Sequence, residues 1–550
     1  MSTEATVTPG LEEELGTWPA TLAGFLGEAA RRYADDTALV TEAERCTFRE
    51  LEAGARDVAR ALIAHDLEPG TRVGVILPNG PRWVAAVFGV AMAGAVPVLL
   101  NVFSSAQEQN AALTVTGARA LCIAGPLLEP FLGSGALRSP VASVELIVSE
   151  SGGRHGLCRT WSDFIAAGGA APQALVDDRI TAIGPGDDSF IMFTSGTSGE
   201  SKGVLHRQSS PVRQFLVWRR MQELRRDDRI FTTYPFCWSA GLCRCLGAAL
   251  ASGARIMTVG HFDPAGALAL MASEQVTAVI TPNEGHLDHR LIEHADFRPD
   301  ALRSVRRASN PVLATALGLG RRWLPRGYGM TETLTLVTGA PVSQAEELPA
   351  GATGRPLPGW DVRVIDEASG TDVAAGEIGR VKLRGPTLMT GYVGRSAAET
   401  FDADGYFLTA DLGYLDADGY LYFSGRADDL VRSAGVNVSA AELERELGHH
   451  PQVRLVVAVG VPHPRLGQAL VACIVRENAP LDTSPDASAG ALLDAEQIAQ
   501  WLRPRLATYK HPRAVLFFEE SEFSFTGSQK VQRAPLRELV LGRIEQEGHW

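Results

Sequence analysis

The stretch Trp83-Val84-Ala85-Ala86-Val87-Phe88-Gly89-Val90-Ala91-Met92-Ala93-Gly94-Ala95-Val96-Pro97-Val98-Leu99-Leu100 carries no charge over 18 residues, the lower limit for a membrane span. Its breakers argue against one. Gly89, Gly94 and Pro97 interrupt the run, and Pro97 would disrupt a helix continuing through it. The stretch reads as a buried helix ending near Gly94, followed by a short buried strand, VPVLL. Continuous apolar strands of this kind belong to parallel sheets covered on both faces. The expectation is a cytoplasmic core element with no membrane span.

The alternation extends outward. TLAGFLGEAARRYA (21–34) and FRELEAGARDVARALIAHDL (48–67) have helical apolar spacing, whereas RVGVILP (72–78) and ARALCIA (118–124) are short apolar runs between breakers. A second set, FIMFTSG, DRIFTTYPF, ARIMTVG and VTAVITP, runs from about 185 to 340. Helix and strand in turn imply βαβ units. From about 350 the strands become short and are joined by Asp-Gly and Ala-Gly turns, as in DVRVIDEASG and GYFLTADLGYLDADGYLYFSG, the pattern of hairpins and a small barrel. Beyond Arg426, SAAELERELGHH and VRLVVAVGV suggest a separate α+β module, with a Pro/Ser/Ala-rich exposed loop around 477–493.

Composition sets the outer bounds. At 550 residues, 45% hydrophobic and 21% charged, the chain is too apolar for intrinsic disorder and long enough for several domains. With 51 Lys+Arg against 64 Asp+Glu the net charge is -13, which repels phosphate backbones and excludes nucleic acid as an expected partner. The seven cysteines form no CxxC pair, so neither a zinc site nor a disulfide framework is signalled. Cys237, Cys243 and Cys245 read as small buried apolar residues. The N-terminal MSTEATVTPGLEEELGTWP lacks the basic and apolar regions of a secretory signal.

The densest chemical signal is Phe193-Thr194-Ser195-Gly196-Thr197-Ser198-Gly199-Glu200-Ser201-Lys202-Gly203. Glycines let backbone N–H groups turn onto phosphate oxygens, hydroxyls add donors, and a lone lysine adds the charge that a triphosphate demands. It is not a P-loop, because Gly-x4-Gly-Lys-Ser/Thr is absent and the following GVLH is strand-like.

This loop resembles the phosphate-loop signature of the adenylate-forming superfamily of acyl-CoA synthetases, adenylation domains and luciferases, usually written YTSGTTGxPKG. Further segments match in order: Tyr328-Gly329-Met330-Thr331-Glu332-Thr333, Thr409-Ala410-Asp411-Leu412-Gly413, Gly425-Arg426-Ala427-Asp428-Asp429 and Lys530-Val531-Gln532-Arg533. The resemblance spans about residues 20 to 545. It implies an α/β fold with a large N-terminal adenylation domain, 1–425, and a small mobile C-terminal α+β domain, 426–550. The first would comprise two α/β/α layered subdomains, about 20–180 and 181–345, and a small β-barrel-like subdomain, 346–425.

The resemblance also implies roles. Thr194, Ser195, Gly196, Thr197, Ser198, Gly199 and Lys202 would cradle phosphates, Tyr328 and Gly329 would meet adenine, and Thr331 would donate to the α-phosphate. Glu332 and Thr194 would hold Mg2+, a hard cation that takes oxygen ligands. Asp411 would accept from both ribose hydroxyls and Arg426 would add a ribose or phosphate contact. Lys530, Lys202 and Glu332 would be catalytic, Lys530 stabilising charge around the α-phosphorus. Here the usual Thr-Gly-Lys reads Ser528-Gln529-Lys530. Asp428 would be a hinge, and Gly435 would line the tunnel taken by CoA.

Trp238, Gly241 and Asn310 are the expected acyl-pocket residues. No aspartate stands in Tyr234-Pro235-Phe236-Cys237-Trp238-Ser239-Ala240-Gly241 to pair an α-ammonium, which disfavours an amino-acid substrate. The segment Thr281-Pro282-Asn283-Glu284-Gly285-His286-Leu287-Asp288-His289 is unusually polar, and Ser309-Asn310-Pro311 replaces the customary Gly-Gly-Ala-Pro. Polar groups beside an apolar pocket need partners, which points to a short or medium-chain, aromatic or functionalised acid. Alternatively Glu284, His286 and His289 face solvent.

The leading expectation is an ATP-dependent acid–CoA ligase. An oxyacid and ATP with Mg2+ give an acyl-adenylate and pyrophosphate, and CoA then displaces AMP. The alternatives are an adenylating enzyme with another acceptor (a separate carrier protein, an amine, or nitrite as in diazotising relatives) and a regulator without catalysis. Lys202, Glu332, Asp411 and Lys530 disfavour the last. About 20 residues follow Lys530, too few for an attached carrier domain, and a homodimer is left open.

Overall fold

The computed structural model describes residues 10–133, 143–151, 156–194, 202–282, 286–319, 325–427, 430–433, 436–477, 493–506, 508–525 and 531–547. The stretch 83–100 folds as the helix Pro81–Met92, a left-handed turn at Gly94 with φ +78, and the buried strand Val96–Leu99. Every residue from Trp83 to Met92 is buried. Gly89 is small for a reason of packing: a Cβ there would meet the Ala55 carbonyl oxygen at 2.5 Å, so the helix Phe48–Ala64 can cross only over a bare backbone. Among the described residues no helix is long and apolar enough to cross a membrane.

These elements build one of two compact units, 1–361 with 383–407. Its eight-stranded sheet runs Gly391–Tyr392, Lys202–Arg207, Asp188–Thr194, Val96–Leu99, Arg72–Ile76, Ala120–Ile123, Leu146–Ser149, Cys158–Thr160. All neighbours are parallel except around Lys202–Arg207, which is antiparallel to both of its own. A six-stranded sheet runs Arg307–Ala308, Ala278–Ile280, Arg229–Thr232, Arg255–Thr258, Thr37–Val40, Arg45–Thr47 and is parallel but for its last pair. A small antiparallel sheet, Arg326–Met330, Thr335–Ala340 and Arg355–Pro356, completes the unit.

The two large sheets interleave along the chain. Thr37–Val40 pairs with Arg255–Thr258, and Val96–Leu99 pairs with Asp188–Thr194. Apolar periodicity marks each strand but says nothing about its partner, so this exchange is invisible in the pattern. Parallel strands leave their carboxyl ends on one edge, where α/β folds gather functional loops.

The second unit comprises 362–382 and 408–550. The four-stranded sheet Asp361–Ile365, Gly379–Arg384, Phe407–Leu415 and Leu421–Arg426 falls almost wholly within it. Its other sheet has Val453–His463 antiparallel to Gly467–Arg476, which pairs in parallel with Ala514–Phe517. Alternate residues bury on opposite faces: Ala458 and Ile474 pack with Leu443 and Ile498, while Val459 and Cys473 pack with Val540 and Ile544. Period-two patterning thus supplies an α+β layer with helices on both sides.

Candidate active site

The ends of the Gly/Ser segment are held by a β-hairpin in which Thr194 stands opposite Lys202 and Phe193 opposite Gly203. Ser195, Gly196, Thr197, Ser198 and Gly199 between them lie outside the described residues. On the other side of Lys202–Arg207, Tyr392 pairs with Val204, and the Thr390 and Val393 amides donate to Leu205 O and Gly203 O at 2.9 and 2.8 Å. This register sets Lys202 Nζ 5.4 Å from the centre of the Tyr392 ring, within cation–π range.

The Tyr392 hydroxyl donates to Glu332 Oε1 at 2.8 Å, and the Met389 amide donates to the Glu332 carbonyl at 2.7 Å. Tyr392 therefore joins two expected site residues, Lys202 on one strand and Glu332 on a distant turn. Among the described residues Lys202 has no carboxylate partner, and Glu332 Oε2 accepts no hydrogen bond. An ammonium and a carboxylate held on either side of Tyr392, neither neutralised by the other, suit an anion and a hard cation together. Glu332 thus fits Mg2+ by its chemistry.

The turn Thr331–Thr333 is fixed from several sides. Fully buried His206 donates from Nε2 to Thr331 O at 2.9 Å, and burial pushes its imidazole down to about 3 despite that bond, leaving it neutral. Thr387 Oγ1 donates to Thr333 O at 2.8 Å, and Gln214 Nε2 to Thr387 Oγ1 at 3.0 Å. Leu334 and Thr335 adopt φ +50 and +85, backbone strain that persists only where surroundings enforce it. Tyr328, buried, and Gly329 sit at a bulge in the preceding strand.

In the second unit Asp411 and Arg426 are cross-strand neighbours, with Arg426 Nε 3.7 Å from Asp411 Oδ1. Asp411 is buried, and its backbone amide donates to Thr409 Oγ1 at 3.0 Å. Asp428, Gly435 and Lys530 lie outside the described residues.

The acyl-pocket candidates follow two strands of the six-stranded sheet that are separated by a third. Trp238 and Gly241 come after Arg229–Thr232, and Asn310 after Arg307–Ala308, with Ala278–Ile280 between them. Gly241 lies on the π-helix Ala240–Gly247, where a Cβ would fall 1.8 Å from Pro235 O. Trp238 is half-buried and meets Tyr234 edge-on at 6.5 Å. Asn310 Oδ1 caps the helix Pro311–Ala316 through the Val312 amide at 2.9 Å. Cys237, Cys243 and Cys245 are buried, and burial raises all three thiols, as expected of packing residues.

The polar segment turns inward. Thr281, Asp288, Ser309 and Asn310 are buried, as is His289, while the Glu284 and His286 side chains lie outside the described residues. Thr281 Oγ1 donates to Asp288 Oδ1 at 3.0 Å, and the Thr281 amide to Ser309 Oγ at 3.2 Å. Among the described residues Asp288 Oδ2 and Asn310 Nδ2 have no hydrogen-bond partner. Burial pushes the Asp288 carboxyl up to about 7, with the Thr281 hydroxyl opposing. The folded chain then holds a proton that an unfolded aspartate releases near pH ~4, so stability falls as pH rises from about 4 to 7 and levels off above. Asp288→Asn is expected to remove that slope, making the wild type lose on the order of a few kcal/mol relative to the variant between pH 4 and 8. Parallel stability profiles from denaturant titrations would show the carboxyl to be ordinary.

Comparison with known proteins places this geometry. The model described as "AMP-binding enzyme" matches residues 26–393, and its C-terminal domain counterpart matches 442–530. The chain belongs to the AMP-binding enzyme family. It is 32% identical to a Rhodococcus jostii 3-[(3aS,4S,7aS)-7a-methyl-1,5-dioxo-octahydro-1H-inden-4-yl]propanoyl:CoA ligase, over 94% of this chain and 99% of that one. With an Amycolatopsis feruloyl-CoA synthase identity is 30%, over 95% and 98%. Among solved structures, ATP-bound MatB from Rhodopseudomonas palustris superposes with a TM-score of 0.77 at 25% identity, covering 94% of this chain and 98% of that one. The α/β architecture with a small C-terminal domain is thus that of adenylate-forming AMP-binding enzymes. Tyr392 and His206 escaped the sequence reading. Each acts on the Thr331–Thr333 turn through strand pairing or a long-range bond, and Gly391-Tyr392 by itself looks like any turn entering a strand.

Proposed function

We propose that this AMP-binding enzyme is an ATP-dependent acid–CoA ligase acting on a short or medium-chain, aromatic or functionalised carboxylic acid. The observation that carries the reading is the convergence of Lys202 and Glu332 on Tyr392. An oxygen of the acid attacks the α-phosphorus of ATP, the bond to pyrophosphate breaks, and an acyl-adenylate forms. The CoA thiolate then adds to the acyl carbon and AMP leaves. In this reading the 194–202 segment and Lys202 bind phosphates, Thr331 donates to the α-phosphate, and Tyr328 and Gly329 meet adenine. Asp411 and Arg426 take the ribose, and Lys530 supports charge at the reacting phosphorus. Glu332 and Thr194 would hold Mg2+, which when bound lowers the charge cost of phosphate oxygens.

Residues 1–425 and 426–550 are the adenylating and mobile domains in this reading, with Asp428 as hinge and Gly435 along the CoA path. Trp238, Gly241 and Asn310 border the acid. Seven cysteines, none of them in a disulfide, support a reducing, cytoplasmic setting. The test is AMP and pyrophosphate formation across a panel of acids, with and without CoA, and mass spectrometry of the product. A CoA thioester supports the reading; CoA-independent turnover to another product overturns it in favour of a different acceptor.

A further inference from the structure

The π-helix Ala240–Gly247 that carries Gly241 also carries Arg244, which is 5% exposed. A guanidinium does not shed its proton on burial, so buried arginines are normally met by a carboxylate. Arg244 is not. Its neighbours are neutral: Nη1 donates to the Tyr234 hydroxyl at 3.4 Å and Nε to Gln222 Oε1 at 3.5 Å, both long. Its charge lies over the rings of Trp218 and Tyr234 at 5.5 and 5.7 Å. Among the described residues Nη2 is buried with no hydrogen-bond partner, and no carboxylate pairs with the side chain.

Position adds a second argument. Arg244 stands about one helical turn beyond Gly241, on an element that follows the carboxyl end of Arg229–Thr232. That edge of a parallel sheet is where ligands bind. π-helical turns are uncommon and recur at functional sites. The element that carries Gly241 therefore also carries a buried cation, beside the Tyr234 that meets Trp238 edge-on.

We infer that Arg244 is a specificity-determining residue that receives a second carboxylate of the substrate, at the end remote from the one that is adenylated. The inference rests on the acid-activating reading and narrows it to diacids. A carboxylate matches the planar fork of a guanidinium and supplies the missing charge, whereas an uncharged chain end would leave Nη2 desolvated and the charge unmet. Trp218 and Tyr234 would then sandwich the pair in apolar surroundings that strengthen it.

The test compares each of two diacids, adipate and isophthalate, with its own monomethyl ester, so that size is nearly held while one charge is removed. The wild type is expected to favour at least one diacid over its ester by tenfold or more in kcat/KM for thioester formation. In Arg244→Met that preference should fall by about tenfold or more, to near parity between diacid and ester, the scale of a hydrogen-bonded charge lost from a desolvated site. Arg244→Lys, which keeps the charge but not the fork, should fall between. Without ATP, the same diacid should raise the thermal midpoint of the wild type and not of Arg244→Met, while Arg244→Met without ligand should melt no lower than the wild type. Equal use of diacid and ester by the wild type, a preference that survives Arg244→Met, or a variant that unfolds because the arginine is purely structural would each overturn the inference. Failure of every acid to yield AMP and pyrophosphate would instead count against the ligase reading, and the midpoint shift would still read the anion site.

Discussion

Label exchange between pyrophosphate and ATP, run with an acid that the wild type activates, is expected to fall about 10²–10³-fold when Lys530 is replaced by alanine, the usual loss for one donor aimed at developing charge. The exchange isolates the first half-reaction, in which negative charge gathers on the oxygens around the α-phosphorus while pyrophosphate departs. Lys202, at the end of the hairpin beside Thr194, is read as serving the phosphates already in the ground state. Lys530 is read as serving the transition state, so its loss should leave the thermal midpoint and the affinity for ATP nearly unchanged while kcat for exchange collapses. Undiminished exchange in Lys530→Ala would remove the C-terminal lysine from the mechanism. An equal loss of ATP affinity would make it a binding residue.

How far the chain could be read beforehand depended on the range of the interactions involved. The helix and strand of 83–100 were legible because Gly94 and Pro97 act on their own neighbours. The cysteines at 237, 243 and 245 were legible for the same reason, as residues of an apolar run. The exchange of strands between the two large sheets was not, since Thr37–Val40 and Val96–Leu99 carry no mark of the partners they find. Within the site, Lys202 and Glu332 stand in motifs whose residue types announce their chemistry. Tyr392 and His206 do not, because they act by where pairing puts them: opposite Val204 in one case, and under the Thr331 carbonyl in the other. The inward turn of Asp288 and His289 was left open by their residue types, because polar side chains on a short helix normally face water. The bond from Thr281 to Asp288 and the packing of Leu291 against the core turn this helix inward.

Those long-range constraints meet at Gly329, and replacing it with alanine is expected to cost more than about 4 kcal/mol in stability, the range reached when a buried backbone contact is violated. A Cβ at this position would lie 1.8 Å from the Thr335 carbonyl oxygen and 2.4 Å from its carbon. Neither atom can yield. Thr333 Oγ1 donates to that same carbonyl at 2.6 Å, Thr335 Oγ1 accepts from Trp218 Nε1 at 2.8 Å and donates to Gln214 Oε1 at 3.1 Å, and the residue already sits at φ +85. The methyl group would have to part the strands Arg326–Met330 and Thr335–Ala340, carrying Glu332 away from Tyr392. Gly329→Ala protein that does fold should therefore have lost at least about 10²-fold in ATP–pyrophosphate exchange, a displacement effect of the size that misplacing reacting groups by an ångström produces. Gly27→Ala is the control: it lies in the helix Leu22–Tyr33 with nothing within 4 Å of the added Cβ, and should be neutral or stabilising by about 0.5–1 kcal/mol. The contrast with Lys530→Ala is the informative one, since that change should silence exchange without touching stability, whereas Gly329→Ala should lower both together. A Gly329→Ala enzyme that melts with the wild type and exchanges label at its rate would mean that the Thr331–Thr333 turn does not hold Glu332 in place.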